Sequence, residues 1–446
     1  MSKNLYVSNI IFIIFVLLSL LPVVTFADVD TAWTRKYNGL KDSTDVPSAI
    51  VIDDAGNIYV AGYGGGKETG SDFVLIKYNQ SGVQQWVARY NTPENLDDYV
   101  NAMMMDKSGN IYLTGTTMKE TANIKGDFLT VKFNGEGVEE WAVKYNGTGS
   151  GDDFAWSIAT DKVGNVFVGG TTKDSLFGND FCVIKYSPLG KQEWVKVYNG
   201  PANRTDDLYK ITTDKQGNVY LCGSSYGKET YEDYATVKFS GSGKQLWAAR
   251  YTGPKTGTDI AKAIALDKSG NVYVTGISSY DFLTIKYSPS GKELWTKRYS
   301  TDLMHDAYLI RVDDSGNVCV AGTAHGANML DDWTVVKYGA QGNELWHYVF
   351  DGYEGGDDLP KAMALDKAGN LYVTGGTYTK SYGPNFVTIK FNRATGNPDG
   401  YIEYKGYSFD EPKAIAVDKD GNIYVTGVSE GFLTGDDILT IKYIQK

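Results

Sequence analysis

Aspartate recurs in this chain at regular intervals, and repeated carboxylates are where chemistry would first be sought. The segment Asp-x-x-Gly-Asn occurs eight times, at Asp53, Asp106, Asp161, Asp214, Asp267, Asp313, Asp366 and Asp418. A short way upstream of each stands a second acid: Asp45, Asp98, Asp153, Asp206, Asp259, Asp306, Asp358 and Asp410. A third comes before a later apolar run, at Asp72, Asp127, Asp180, Asp233, Asp281, Asp332 and Asp437, with Asn385 in the seventh copy. Hard cations are held by several carboxylate oxygens, so a divalent cation such as calcium is the cofactor that the second and third sets would take. Turn capping competes with that chemistry, because Asp at the entry to a strand accepts backbone amide hydrogens. For Asp-x-x-Gly-Asn capping is the better account. Asp418-Lys419-Asp420-Gly421-Asn422 opens like a calcium loop, but the other seven copies lack the middle acid and none carries the late bidentate Glu of an EF-hand.

A lysine also recurs in all copies, at Lys77, Lys132, Lys185, Lys238, Lys286, Lys337, Lys390 and Lys442, each followed by Tyr or Phe. Catalysis needs one perturbed amine and not eight equivalents. These lysines are expected to pair with the Asp of Asp-x-x-Gly-Asn and to pack their stems between structural units.

The elements that position these residues follow from the repeat itself. Each unit holds four short period-two runs separated by Gly, Ser, Asn and Asp, for example Ala263-Ile264-Ala265-Leu266-Asp267, Asn271 to Gly276, Asp281 to Tyr287 and Leu294 to Tyr299. They read as strands A to D. Tandem four-stranded antiparallel units predict an all-β fold, a single β-propeller of eight blades spanning residues 28–446. The Trp of strand D appears at Trp33, Trp86, Trp141, Trp194, Trp247, Trp295 and Trp346. One copy therefore precedes the first strand A, and the segment Trp33 to Tyr37 is expected to complete the last blade and close the ring. Near Gly400 the Trp is missing, and Tyr401 to Tyr404 is expected to stand in for it.

The Gly-Asn-aliphatic-Tyr-Val-Thr-Gly and Asp-Phe-x-x-Ile-Lys-Tyr segments resemble those of the bacterial and archaeal β-propeller repeat family labelled SBBP, across residues 28–446. The resemblance implies an exported, often surface-associated protein without an assigned activity. The family's name implies seven blades, whereas the repeats here number eight. Gly291-Lys292-Glu293-Leu294-Trp295 is also similar to the tryptophan-docking motif of quinoprotein dehydrogenases, a likeness that covers blade packing only.

Individual function is sought where the copies differ. Five residues before each Asp-x-x-Gly-Asn stand Ser48, Asn101, Trp156, Tyr209, Lys262, Tyr308, Lys361 and Lys413. Trp156, Tyr209, Lys262, Tyr308, Lys361 and Lys413 are the candidate ligand-binding residues, expected at the channel mouth. The D-to-A and B-to-C connections emerge on that same face, because successive strands alternate direction. The B-to-C connections, Gly62 to Ser71, Thr116 to Gly126 and Gly376 to Pro384, vary most, and Tyr63, Tyr226, Tyr280, Tyr378 and Tyr382 lie among the connections of this class.

Residues 1–27 carry one basic residue, Lys3, and an apolar run from Ile10 to Val24, which reads as an export signal. No later stretch would span a membrane. A net charge of −11 argues against nucleic acid as a partner. Cys182, Cys222 and Cys319 replace apolar or small residues of other copies and read as core filling. No Gly-x-Ser-x-Gly, Walker, His-Glu-x-x-His or Cys-x-x-Cys motif occurs. The expectation is a monomeric, exported, non-catalytic binding module whose partner is a protein, peptide or glycan on the loop-rich acidic face. The alternatives are an enzyme with a funnel site, either a polysaccharide lyase or a quinoprotein-like oxidoreductase, and a structural envelope protein.

Overall fold

The computed structural model describes residues 29–445 apart from 41–42, 120–124, 148–150, 176–177, 254–256, 301–303, 327–329, 353–355, 379–382, 407 and 432–433. The expected export segment, residues 1–27, lies outside them. Every repeat forms one four-stranded antiparallel sheet in the order A-B-C-D, giving eight blades. In blade one these strands are Asp45–Ile52, Ile58–Gly65, Ser71–Tyr78 and Gln84–Tyr90. Strand A is innermost, since the A strands of successive blades touch one another around the ring, blade eight against blade one included.

Closure occurs as expected. The first strand, Val29–Tyr37, pairs antiparallel with Gly435–Gln445, strand C of blade eight, in a register that sets Trp33 opposite Lys442. The apolar core is distributed between blades. One cluster joins Tyr59, Phe73 and Leu75 of blade one to Val100, Leu113 and Leu129 of blade two, and another joins Trp33, Tyr424 and Ile438 of blade eight to Val60 and Ile76 of blade one.

Each blade grips the next through strand D and the end of strand C. The glycine of the C-to-D turn has a positive φ, 84° at Gly291, and lies against the indole of the preceding blade. A Cβ at Gly82, Gly137, Gly190, Gly243, Gly291, Gly342 or Gly396 would come within 2.3–3.1 Å of that ring. The same turn offers a carbonyl to two donors. Gly241 O accepts from Trp194 Nε1 at 3.1 Å and from Lys185 Nζ at 3.1 Å, and Ala340 O accepts from Trp295 and Lys286 in the same way. The recurring lysine is thus chiefly a tie between blades. Its expected ion pair within the blade is present at 3.5 Å for Lys337 and Asp313, and at 3.8 and 3.9 Å for Lys238 with Asp214 and Lys286 with Asp267.

Blade seven departs from the expected substitution. Lys390 faces Gly400 where the other lysines face Trp, so glycine holds the Trp position, and Tyr404 occupies the place of the ordinary Tyr that ends strand D. The reason lies in the neighbour. Blade eight takes strands C and D from opposite ends of the chain, so no C-to-D glycine turn is there for an indole to cover. Lys390 Nζ instead donates to Gln445 Oε1 at 3.0 Å. The variable B-to-C connections are also shorter than expected, because pairing continues past Gly62 to Gly65 with Ser71.

Candidate functional site

The most variable position of the repeat is a β-bulge. In all eight A strands the ladder skips one residue, and the skipped residues are Ser48, Asn101, Trp156, Tyr209, Lys262, Tyr308, Lys361 and Lys413. A bulge re-aims a side chain and frees it from the alternation of the strand, so this position varies without disturbing blade packing. Its innermost location carries all eight toward the channel.

These residues fall into three groups. The three lysines are committed to acids: Lys262 Nζ lies 2.5 Å from Asp306 Oδ2, Lys361 Nζ lies 2.7 Å from Glu411 Oε1, and Lys413 pairs with Glu411 Oε2. Burial would raise the Glu411 carboxyl, but the two ammonium groups outweigh it and hold it below the ordinary value. Ser48 and Asn101 reach the strand A carbonyls of Val100 and Ala155 in the following blade. The aromatic arc remains. Trp156 is 40% exposed and stacks on Phe154 with ring centroids 5.7 Å apart, and Tyr209 of the next blade is 36% exposed. They line a cavity of about 440 Å³ with Asn101, Thr171, Asn179 and Asp207. Asn179 Nδ2 donates to Asp207 Oδ1 at 3.0 Å. Burial first, and then the charge of Asp207, push the Tyr209 hydroxyl up to about 12, so it remains protonated and able to donate. Tyr308 stands apart in blade six, outside this cavity.

Two channel cations escaped the sequence reading. Lys210 and Arg311 occupy strand A positions where the other copies carry Ala, Ser or Leu and Val, Met, Ala or Thr, respectively. Both side chains are exposed to the channel yet walled by protein. Desolvation and then the charge of Arg311 hold the Lys210 ammonium below its usual value. The internal comparison that singled out the bulge residues would have found them one and three positions further on. Phe154 and Glu411 were missed similarly, at a strand A position that also holds Val46, Tyr99, Asp207 and Leu359.

The upstream aspartates are buried and cap turns. Asp45, Asp98, Asp153, Asp206, Asp259, Asp358 and Asp410 each accept, at 2.5–2.8 Å, the amide hydrogen of a residue just past the preceding strand D, such as Gly39, Thr92 or Gly253. Asp306 does not belong to that set. His305 faces Ala324 at the position where Asp45 faces Gly64, and Asp306 falls one residue later, into the channel beside Lys262. Strict spacing from Asp313 would have given His305. The third set lies in the same cross-strand row, Asp72 beyond Gly64 and Asp437 beyond Ser429, so both sets do share one face.

The Asp-x-x-Gly-Asn aspartates at the opposite end are fully committed to their turns. Asp106 Oδ1 accepts the amides of Ser108 and Asn110, and Oδ2 accepts Asn110 Nδ2 and the Tyr112 hydroxyl. Gly109 supplies the positive φ, 78°. Grooves of about 620 and 480 Å³ run between such turns at blades six to seven and two to four. Their recurrence from blade to blade makes them products of the repeat, in contrast with the aromatic arc. Of the connection tyrosines, Tyr63 packs edge-on against Tyr99 and Tyr226 under Arg204, while Tyr280 is exposed. None lines the aromatic cavity, and Tyr382 lies outside the described residues.

No curated protein matches the chain. Among solved structures it is similar to the quinohemoprotein alcohol dehydrogenase of Comamonas testosteroni, with 12% identity and a TM-score of 0.61 over 93% of this chain and 76% of that one. It is likewise similar to the quinohemoprotein alcohol dehydrogenase ADHIIG of Pseudomonas putida HK5, with 12% identity and a TM-score of 0.58 over 94% and 77%. Likeness at this identity concerns the fold alone. The SBBP family, described as a beta-propeller repeat, matches at residues 33–67, 85–118, 143–178, 193–229, 246–282 and 401–431, segments that run from strand D into the strands A and B that follow it. With eight copies of one blade closed into a ring, the chain belongs to the SBBP beta-propeller repeat family.

Proposed function

We propose that the protein is an exported, monomeric, non-catalytic module that binds a glycan chain at the aromatic arc of its channel mouth. The observation that carries this reading is the stacked pair Phe154 and Trp156, whose exposed indole borders a cavity lined by Asn101, Asn179 and Asp207. A flat ring face suits the C–H face of a sugar, and amides and carboxylates beside it suit hydroxyls. Holding the pair on a bulge of an inner strand fixes it before any ligand arrives, which lowers the cost of binding. Lys210 and Arg311 favour a glycan bearing carboxylate or sulfate groups. Export rests on residues 1–27. No helix among the described residues is long and apolar enough to cross a membrane. A lyase or oxidoreductase would use the same funnel, but fold likeness brings neither a cofactor nor a reacting pair to this chain.

The test is to titrate neutral and uronic-acid oligosaccharides into the protein while following tryptophan emission. Saturable change with an acidic oligosaccharide, weakened at least tenfold in Trp156→Ala, is expected. That factor corresponds to about 1.4 kcal/mol. A flat emission and calorimetric response across the panel would remove the glycan assignment, and turnover of any member would replace the module with an enzyme.

A further inference from the structure

The row of acids before strand C meets a strand D cation in blades one, two, four and five. Arg89 lies 3.5 Å from Asp72 in blade one, Arg250 2.8 Å from Asp233 in blade four, and Arg298 2.9 Å from Asp281 in blade five. Lys144 lies 3.8 Å from Asp127 in blade two. Each cation comes from one ladder position of strand D, where Val74 faces Arg89 and Leu283 faces Arg298. Blade seven changes both partners together, so that Asn385 Nδ2 donates to Glu403 Oε1 at 3.1 Å. Blades three and six keep their acids, Asp180 and Asp332, while the strand D positions facing Cys182 and Thr334 hold Val197 and Val349.

Blade six differs from blade three in adding a further acid in the same place. The residue that follows strand D is Asn38, Asn91, Asn146, Asn199, Thr252, Ser300 and Lys405 in the other blades, and Asp351 in blade six. One carboxylate oxygen from each of Asp332, Asp351 and Asp358 lies within 4.8 Å of the other two. Asp332 is only 6% exposed, and its Oδ1 is buried without a hydrogen-bond partner. Asp358 is fully buried, with Oδ2 taking the Gly352 amide at 2.5 Å. No lysine or arginine pairs with any of the three among the described residues. Trp333 and Phe350, adjacent to Asp332 and Asp351, pack with centroids 5.1 Å apart and fix the two strands together.

Two buried carboxylates, Asp332 and Asp358, set beside the exposed Asp351 without a counter-charge are costly, and a bound cation removes that cost. Calcium holds oxygens at about 2.3–2.6 Å, so ligands on one ion can stand up to about 5 Å apart, whereas magnesium at about 2.0–2.1 Å limits them to about 4 Å. We propose that the junction of blades six and seven binds one calcium ion through Asp332, Asp351 and Asp358, the ion taking the place of the strand D cation of other blades.

The full chain, treated with chelator and dialysed, would be titrated with calcium chloride and with magnesium chloride by calorimetry, and melted with and without each ion. One calcium per chain is expected, with a calcium-dependent rise in Tm. Both should be lost in Asp332→Asn. They should also be lost in Val349→Arg, which installs the guanidinium of blades one, four and five at a side chain that is 43% exposed. Absence of calcium binding in the wild type overturns the proposal, as does a site that takes magnesium in preference. Binding that persists in Val349→Arg overturns it too, even if Asp332→Asn does not fold.

Discussion

Asp98 caps a turn and, at neutral pH, opposes the fold that it helps to shape. Its Oδ2 accepts the Thr92 amide at 2.8 Å, and Thr92 Oγ1 and Thr117 donate to it as well. Burial outweighs these donors, the Asp72 charge adds to it, and the carboxyl is raised from 3.8 to about 6. Asp45 is raised to about 6 by burial against the Gly39 amide and Arg89, with Asp437 adding to the rise. Asp206 and Asp259 shift in the same direction for the same leading reason. A carboxyl whose pKa is higher folded than unfolded holds its proton longer in the folded state. Stability then falls as pH rises between the unfolded and folded values, and is flat above the latter. Asp106 and Asp214, held low by their turn donors, lose their contribution only below the ordinary aspartate value. Lowering pH from 7 to 5 should therefore raise Tm, and Asp98→Asn should flatten that slope while keeping an acceptor for Thr92. A Tm that falls steadily over this interval would contradict the burial argument. At this scale the sequence was legible where a residue repeats in strict register and misleading where it does not. Asp306 passed for a member of the buried set because it is acidic and close, yet the ladder places it one residue away. Lys210 and Arg311 went unnoticed because two single cations among alanines carry no local motif.

Between blades, the repeating unit is a contact and not a strand. Trp247 lies against Gly291 of the next blade, which must have a positive φ and also leave room for the ring. Gly270 shares the first requirement, with φ 80°, but a Cβ there would meet Pro289 at an ordinary 3.6 Å. Gly270→Ala should cost about 1–2 kcal/mol for the left-handed backbone alone. Gly291→Ala adds overpacking, about 1–3 kcal/mol, to the same backbone cost. Thermal or denaturant unfolding of the pair measures the docking contact by difference, and equal losses would mean that the indole simply moves aside. Strand assignment was readable because period-two patterning is a local property that eight copies reinforce. The lysine's main partner was not, since it is a backbone carbonyl in the C-to-D turn of the next blade, and carbonyls have no sequence signature. Gly400 makes the same point: its neighbour lacks a C-to-D turn, which a reader of blade seven alone has no means of knowing.

At the level of the ring, stability depends on the one joint that sequence adjacency does not supply. Seven blades are each continuous in the chain, whereas blade eight requires Val29–Tyr37 to find Gly435–Gln445 across the full length of the protein. Closure of so long a loop is entropically unfavourable, but the cost grows only logarithmically with length. It is offset by a full strand of ladder bonds and by Trp33, which is buried against Tyr78 and Tyr424 and donates to Gln80 O at 3.2 Å. The joint therefore serves both neighbours, completing the sheet of blade eight and docking on Gly82 of blade one. Deleting residues 28–37 should leave the sheet edge of blade eight unpaired and remove that docking at once. The expected outcome is a lower first transition, loss of a single cooperative unfolding step in calorimetry, and concentration-dependent association through the bared edge in size-exclusion chromatography. A truncated chain that melts in one step at the wild-type temperature would show that seven continuous blades hold the ring without its closing strand, and the stability of the channel mouth would then have to come from contacts among the A strands alone.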